Sequence, residues 1–489
     1  MTLSASLANA LSGLNAASRG AQVVSSNVSN ALTEGYGRRV LETTPNTVST
    51  SGSGVKVVGV RRDVNHQLIA DRRLADAASA EAETRADGLS KLEAAFGISD
   101  SADSISGAIS AFESALVAAA SRPDSDARLA DVLATTQTLA GRINEAADDI
   151  QQSRMDAEAG IVSNVRTLNE TLQQVSELNT EIRKQRSYNN DASALVDQRQ
   201  ILIDKIAGIV PLREIARDNG VVALYTENGA ALIDGPPAEF EFVSAGVIVP
   251  EMTVEGGALS GLTMNGRPVR VSGTYAAMGG GSLEALFGQR DIAAVDAQTD
   301  LDALARDLIE RFQDPAVDAS LGAGDAGLFT NFGAAFDLVS DPDAETGLST
   351  RIRVNLLADP DQGGALWRLR SGLMAGASGP VGDASLLNSM GDALTASRTP
   401  SSGSYTTQAF TMADLASEVV SGISVRAQTA IEQSSFSSAR ASALSEAELA
   451  EGVDTDYELQ MLMLFEEAYA ANAKVMKTID ELINMLLEI

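Results

Sequence analysis

The sequence predicts a mainly α-helical protein with a β insertion, built as an elongated multi-domain rod. Hydrophobic residues make up 44% of the 489-residue chain but aromatic residues only 4%, so burial must rest on Ala, Leu, Val and Ile. Apolar residues recur at spacings of three and four along most of the chain, which indicates helices. Near Pro211 this period changes, which predicts the insertion. The chain exceeds the usual size of one hydrophobic core, so we expect several domains.

The first helix is predicted within residues 2–31. Its apolar positions form the seam expected of helix-on-helix packing. They are Leu3, Leu7, Ala10, Leu14, Ala17, Ala21, Val24, Val28 and Ala31. The opposite faces carry Ser, Asn and Gln where an exposed helix usually carries Lys and Glu, which favours neighbours on more than one side. The alternative is an ordinary amphipathic helix on a globular core.

The last stretch of the chain, residues 453–489, repeats this seam. Its members are Val453, Tyr457, Met461, Leu464, Ala468, Ala471, Val475, Ile479, Leu482, Leu486 and Ile489. Chain ends of most domains fray and carry little pattern, so two heptad-like ends indicate a pairing. We therefore expect residues 1–48 and 451–489 to form one terminal coiled-coil assembly domain.

A helical rod domain is predicted from residues 49–210, 283–312 and 411–450. It opens with a Ser/Gly link at residues 49–54 and a short strand at 55–60. From about residue 65 to Pro211 the pattern is helical, and Pro123 predicts a turn between two helices. Apolar runs at 139–150 and 161–182 predict long antiparallel helices in a bundle.

Residues 211–282 are predicted to form a small inserted β-rich domain. Asn228-Gly229 suits a type I′ hairpin turn between strands at 221–226 and 230–234. Asn265-Gly266 predicts a second hairpin. Residues 313–410 are rich in Gly, Asp and Pro, so we expect an irregular mixed α/β segment attached to the rod.

Charge and composition exclude several classes of function. Lys and Arg number 36 against 66 Asp and Glu, a formal charge of −30 that repels nucleic acid and anionic membranes. The chain has no cysteine, so disulfides and thiolate chemistry are excluded. The first residues lack the basic and apolar regions of a secretory signal, and no window approaches a membrane span. We expect any export to be independent of a signal peptide.

Candidate catalytic and metal-binding residues are few. His66 is the only histidine, so a histidine base or a multi-histidine metal site is unavailable, and we expect a surface residue at a helix start. The glycine-rich stretches at 279–281 and 322–327 lack the residues of phosphate loops. Asp341, Asp343 and Glu345 do not follow the calcium-loop pattern. The sequence predicts no enzyme, no cofactor and no metal.

Residues 26–38 read Ser-Asn-Val-Ser-Asn-Ala-Leu-Thr-Glu-Gly-Tyr-Gly-Arg. This segment resembles the N-terminal signature of flagellar rod, hook and hook-associated proteins, typically Asn-Ile-Ala-Asn-x-x-Thr-x-Gly-Tyr. In physical terms a helix ends near Ala31, Gly35 permits a sharp change of chain direction, and Tyr36 supplies an amphipathic anchor.

Other blocks carry the same resemblance. Residues 457–461, 468–475 and 478–482 are similar to the C-terminal helix of this axial family, although Leu464-Phe465-Glu466-Glu467 stands where the family usually has Arg-Tyr-Gln-Gln. Residues 190–204, with Asp197-Gln198-Arg199, and residues 280–286 resemble segments of hook-associated members. The resemblance is weak in the β insertion and at 313–400.

The resemblance implies a structural subunit of the bacterial flagellum that forms the junction ring between hook and filament. Implied partners are like subunits, the hook protein, a second junction protein and an export chaperone for the C-terminal helix. Implied export runs unfolded through the flagellar type III apparatus to an extracellular position. The implied assembly interface comprises Leu3, Leu7, Leu14, Val24, Asn27, Val28, Asn30, Gly35, Tyr36, Tyr457, Met461, Leu464, Ala468, Tyr469, Val475, Ile479, Leu482 and Leu486.

Two alternatives stay open. The nearer one is another axial subunit, from the distal rod or the hook, which would share both terminal helices. The helical region 66–210 argues against it, because rod and hook subunits are expected to be mostly β between their ends. The other is a secreted binding module or adhesin, whose ligand site would lie in the β insertion.

Overall fold

The computed structural model describes residues 3–33, 35–48, 51–97, 101 and 104–487. The chain begins with helix α1 (Leu3–Ser29) and continues into an antiparallel hairpin of β1 (Arg38–Val48) and β2 (Ser51–Asp63). Strand β2 occupies much of the predicted link at 49–54, and residues 49 and 50 lie outside the described part. The prediction also missed β1, because Pro45 and the polar residues around it hide its alternation.

A run of helices follows, as predicted between about residues 65 and 211. They are α2 (His66–Phe96), α3 (Ile105–Ser121), α4 (Asp126–Ser187) and α5 (Ser193–Ala207). The Asn65 side chain caps α2 by accepting the backbone N–H groups of Gln67 and Leu68. Pro123 lies between α3 and α4.

Both apolar runs predicted as antiparallel helices lie on the single helix α4. This helix has 62 residues, a length of about 93 Å at the usual rise per residue. Between the runs stands Gly160, where a Cβ would lie 2.9 Å from the Leu286 side chain. The glycine therefore serves close packing and does not end the helix.

The β insertion contains two small antiparallel sheets. One comprises β3 (Leu212–Ala216), β4 (Val222–Thr226) and β5 (Ala231–Ile233), and the other comprises β6 (Phe240–Glu241), β7 (Thr263–Met264) and β8 (Arg267–Pro268). Asn265 and Gly266 both have positive φ, 53° and 72°, as a type I′ turn requires. At the other hairpin only Gly229 has positive φ, so the predicted type I′ turn is wrong there. Asn228 instead donates to the carbonyl oxygen of Ala276 over 2.6 Å.

Helices return after the insertion. Helix α6 (Gly281–Gly288) leads through a π-helical turn (Gln289–Ala293) into α7 (Ala294–Phe312). The irregular segment holds an antiparallel pair, β9 (Phe329–Asn331) and β10 (Ile352–Val354), and the short helices α8 (Leu348–Arg351), α9 (Arg368–Ser371) and α10 (Ser385–Thr395). The chain closes with α11 (Met412–Ala450) and α12 (Thr455–Leu487).

Two hydrophobic cores lie along α4. The first joins the N-terminal half of α4 to α3, α7, α11 and the irregular segment, with Phe112, Phe312 and Phe329 in mutual ring contact. The second joins the C-terminal half of α4 to α5, α6 and the β insertion. The fold class, mainly α with small β insertions, is confirmed.

Candidate functional site

The two terminal helices, α1 and α12, pack against each other. The Asn27 side-chain amide donates a 3.0 Å hydrogen bond to Oε2 of Glu458. One heptad earlier on α1, a Cβ added at Gly20 would lie 2.4 Å from the Phe465 ring, which stands one heptad later on α12. Because position numbers rise along one helix as they fall along the other, the pair is antiparallel.

A third contact extends this register by another heptad in each helix. A Cβ at Gly13 would lie 2.7 Å from the side chain of Asn472. Glycine thus faces α12 at two successive heptad positions of α1, and a side chain of the partner helix occupies the space that a Cβ would need. The small residues let the two backbones approach closely.

The structure places the predicted seam of α1 only partly in this contact. The buried residues of α1 are Ala10, Ala17, Gly20, Val24 and Asn27, of which Ala10, Ala17 and Val24 belong to the predicted seam. Leu14, Val28 and Asn30 are half-buried. Leu3 and Leu7 are each 36% exposed. The contact therefore uses the small residues of the seam more than its leucines.

On α12 the predicted seam is covered only in part, since Ile479 is buried but most of the other predicted residues are exposed. The residues that face α1 or are covered include Glu458, Phe465, Asn472 and Ile479. The predicted positions Tyr457, Leu464, Ala468, Tyr469, Val475, Leu482 and Leu486 are exposed, and Met461 is half-buried. Helix α12 is apolar on two adjoining faces, and heptad spacing alone does not decide which one meets α1.

Asn27 is the centre of a polar cluster and has 0% exposure, and both polar atoms of its side chain are hydrogen-bonded. Its amide nitrogen donates to the Arg39 carbonyl oxygen at 2.8 Å as well as to Glu458. Its amide oxygen accepts from the Arg39 backbone N–H at 3.0 Å and from the Tyr36 hydroxyl at 2.9 Å. One side chain therefore joins α1, the chain reversal after it, strand β1 and α12.

Glu458 is buried at the start of α12, with 1% exposure. A buried carboxylate is costly unless it is paired and hydrogen-bonded. Here Arg38 donates through Nε to Oε1 over 2.8 Å, and Asn27 bonds to the other oxygen. The Arg38 guanidinium also lies 4.8 Å from the ring centre of Tyr457. These contacts fix the start of α12 on strand β1.

The chain reverses direction between α1 and β1 at Gly35. This residue has φ of 73°, and a Cβ there would lie 2.6 Å from Ile201 of α5. The Gly35 carbonyl oxygen accepts from Arg62 at 3.1 Å. Next to it, the Tyr36 ring packs against the Arg39 guanidinium at 4.8 Å, and burial raises the pKa of the Tyr36 hydroxyl.

Asp197 connects this terminal cluster to the helical rod. Its carboxylate accepts from Arg39 at 3.1 Å, from Arg62 at 2.7 Å and from the Gly37 backbone N–H at 3.1 Å. Asp197 is only 8% exposed. The signature residues after α1 and the Asp-Gln-Arg block of α5, far apart in sequence, thus meet at one carboxylate. We call the region of contacts around Asn27, Glu458 and Asp197 the joint.

A second group of ion pairs continues the joint into α2 and α11. Asp204 of α5 accepts from Arg72 at 2.8 Å and from Arg73 at 2.6 Å. Glu448 of α11 binds Arg72 and accepts from Gln200 at 3.1 Å. The joint therefore connects the end of α11, just before α12 begins, to α2 and α5.

The ion pairs and hydrogen bonds of the joint hold the terminal helices in a fixed position. His66 is exposed at the first position of α2. Among the described residues no group of His, Asp and Glu side chains has the arrangement of a metal site. Of the helices in the described ranges, none combines the length and the apolar character of a membrane span.

Sequence reasoning missed the charged members of the joint. Arg38, Arg39, Arg62 and Glu458 are ordinary surface residue types in the sequence. The burial of Glu458 and the partial burial of the three arginines follow from tertiary contacts alone. One signal was present: Arg38 and Arg39 follow the Gly-Tyr-Gly turn directly, which places two cations beside the reversed end of α1.

Comparison with known proteins identifies relatives of the chain. The family described as "Flagellar hook-associated protein FlgK helical domain" matches residues 89–319. Flagellar hook-associated protein 1 of Salmonella typhimurium is 27% identical over 48% of this chain and 44% of the relative. The protein of the same name from Bacillus subtilis is 23% identical over 47% of each chain. The chain thus spans about half the length of the curated relatives it matches.

A solved structure is also similar, that of the flagellar hook junction protein FlgK from Burkholderia pseudomallei. It shares 19% sequence identity with a TM-score of 0.43, over 54% of this chain and 46% of that one.

Proposed function

The chain is a flagellar hook-associated protein of the FlgK type, and from this premise we propose that it is a structural subunit of the junction between hook and filament. The alignment covers under half of the Salmonella relative. Support for the proposal therefore comes chiefly from the organisation of the terminal helices in this chain.

The observation that carries the proposal is the uncovered apolar face of α12. Leu464 is 57% exposed, Val475 47%, Leu482 42% and Leu486 62%. These residues recur at the spacing of a helix seam but do not face α1. A large exposed apolar stripe on an otherwise acidic chain marks a contact surface for another protein.

We propose that this stripe, with Leu3 and Leu7 of α1, is covered by neighbouring axial subunits in the assembled flagellum. Burial of each leucine would contribute roughly 1.5–3 kcal/mol. The joint would hold the helix pair at a fixed angle to the rod, so that the stripes of neighbouring copies meet in register. The proposed partners are like subunits, the hook protein and a second junction protein.

Export is part of the same proposal. The subunit would leave the cell unfolded through the flagellar type III apparatus, and a chaperone would cover α12 before export. Helix α12 suits that role because few of its side chains are buried by the rest of the chain. We propose a structural role and no catalysis.

The test is the replacement of one stripe residue by a carboxylate. Leu464→Asp should abolish incorporation at the hook–filament junction, because burial of an unpaired carboxylate costs several kcal/mol. Lys477→Asp is the matched control, since Lys477 is exposed on a different side of α12. Electron microscopy should show hooks without filaments for the first variant only, and filaments on the Leu464→Asp strain would contradict the assigned surface.

Deletion of residues 212–280 separates the junction subunit from a binding module or adhesin. A junction subunit should still assemble without the β insertion, because its contact surface lies on the terminal helices. A binding module would lose its activity. The deletion removes part of the second core, so the folding of α4 needs to be checked by circular dichroism first.

A further inference from the structure

A cleft of about 560 Å³ opens between the C-terminal end of α4, the start of α5, the β1–β2 hairpin and the β3–β4 sheet. From α5 it is lined by Ser193, Val196 and Arg199. Its lining includes the arginines Arg61, Arg62, Arg186, Arg199 and Arg217 and the only histidine of the chain, His66. A concentration of cations is unexpected in a chain with a formal charge of −30.

Three of these arginines are neutralised within the chain. The pairs are Arg61 with Glu42 at 3.0 Å, Arg62 with Asp197 at 2.7 Å, and Arg217 with Asp234 at 3.2 Å. Besides Glu42, the cleft lining contains two carboxylates, and both have partners within the chain. Glu214 forms an ion pair with Arg73 at 2.7 Å, and Asp191 accepts a hydrogen bond from the Ser193 backbone N–H at 2.8 Å.

Arg199 and Arg186 differ from the other three. Neither takes part in an ion pair formed among the described residues. Arg199 is 5% exposed, and its Nη1 donates to the Asn179 side-chain oxygen and to the Gly220 carbonyl oxygen, both at 2.8 Å. Burial lowers the pKa of Arg199 to about 10, so the guanidinium is still charged at neutral pH.

The two guanidiniums meet at Gly220. A Cβ at Gly220 would lie 2.5 Å from Cζ of Arg186, so this guanidinium rests against the glycine whose carbonyl oxygen binds Arg199. Gly220 has φ of 75°, and its lack of a side chain leaves the room that Arg186 occupies. Both guanidiniums thus lie against the same glycine in the lining of the cleft, and an anion between these two like charges would stabilise them.

We propose that this cleft is an oxyanion site that binds a carboxylate group between Arg186 and Arg199. The planar guanidinium matches the two oxygens of a carboxylate, and such charge-assisted hydrogen bonds are the strong ones. The carboxylate has two possible sources, a free polycarboxylate or an acidic side chain of a second copy of this acidic chain. This site stands apart from the exposed stripe of α12, so the proposal does not depend on the role in the flagellum.

Isothermal titration of citrate into the full chain, with ionic strength held constant by sodium chloride, tests the site. Citrate should bind, and Arg186→Gln should weaken the binding by about tenfold or more. Arg186 is exposed, so this variant should keep its fold, which circular dichroism checks. Arg183→Gln removes another exposed arginine of α4, one outside the cleft lining, and should leave citrate binding unchanged.

Sedimentation of the chain with and without citrate distinguishes the two sources. Self-association that citrate and Arg186→Gln both suppress would assign the carboxylate to a second copy, whereas citrate binding by a chain that stays monomeric would assign it to a free ligand. Absence of citrate binding, or binding equally strong in Arg186→Gln, would overturn the proposal.

Discussion

Asn27 and Glu458 stand 431 positions apart in the chain and share a buried hydrogen bond of 3.0 Å. Their contact sets the register of α1 against α12. Because Asn27 also bonds to both backbone polar groups of Arg39, the same residue ties that register to the β1–β2 hairpin.

Replacement of Asn27 by Ala should loosen the helix pair. The change leaves the Arg39 backbone groups and the Tyr36 hydroxyl without their buried partner, at a cost of about 2–4 kcal/mol. Hydrogen exchange followed by mass spectrometry should show faster exchange in α1 and at the start of α12. Asn15→Ala, at an exposed position of the same helix, is the control. Equal exchange in both variants would contradict the central role of Asn27.

The close approach of α1 and α12 can be tested by comparing two glycines that both lie inside helices, Gly20 at the contact and Gly141 away from it. A Cβ at Gly20 would lie 2.4 Å from the Phe465 ring, whereas a Cβ at Gly141 of α4 would have nothing within 4 Å. Gly20→Ala should therefore separate the helices and lower the thermal stability of the terminal pair. Gly141→Ala should raise stability by about 0.5–1 kcal/mol, the usual helix preference for Ala over Gly. Circular dichroism during heating measures both, and stabilisation by Gly20→Ala would refute the close contact.

Loss of the Asp197 carboxylate should release the terminal pair from the rod. Asp197→Ala leaves Arg39 and Arg62 without their shared anion, and removal of one partner of a buried pair costs about 3–5 kcal/mol. Small-angle scattering should show a broader range of shapes, while hydrogen exchange in the middle of α4 should not change. Asp63→Ala, which removes a more exposed carboxylate beside Arg38 and Arg61, serves as control. A scattering profile identical to the parent's would contradict this function of the joint.

Asp302 on α7 should give the protein a measurable pH dependence. Its carboxyl is buried and accepts from the backbone N–H groups of Gly347 and Ser349, both at 2.8 Å, and from the Gln298 amide at 2.9 Å. Burial raises its pKa from 3.8 to about 6 in spite of these hydrogen bonds.

The sign of the effect follows from proton binding. Between the ordinary pKa and the raised one, the folded chain holds a proton that the unfolded chain has lost. The contribution of Asp302 to the free energy of unfolding is therefore fully present below about pH 4 and is lost as pH rises to about 6, by up to about 1.4 kcal/mol per pH unit. Urea unfolding of the parent and of Asp302→Asn across this range should differ in slope, and parallel profiles would refute the raised pKa.

The sequence predicts the helices more reliably than their contacts. Spacings of three and four fall on α1, α4, α7, α11 and α12, because a helix with one buried side must repeat its apolar residues at that period. The turn at Asn265-Gly266 follows from local backbone preference in the same way. Such features depend on residues close in the chain.

Apart from the pairing of the two chain ends, contacts between distant segments could not be predicted in this way. No local pattern shows that Glu458 will be buried against Arg38, or that Asp197 will receive Arg39 and Arg62. Most of the predicted seam of α12 is exposed for a related reason, since Phe465 and Leu464 are both apolar and only the position of α1 decides which one is covered. The proposed assembly surface is the apolar face of α12 that α1 leaves exposed.

Helix α4 belongs to both cores of the rod, the first along its N-terminal half and the second along its C-terminal half. No loop interrupts it over about 93 Å, so it acts as a continuous mechanical strut. A twisting load that enters near the joint, where Arg199 of α5 binds Asn179 of α4, would pass to the far end without a hinge to absorb it. In the proposed flagellar role, such a shared axis would give the subunit torsional stiffness.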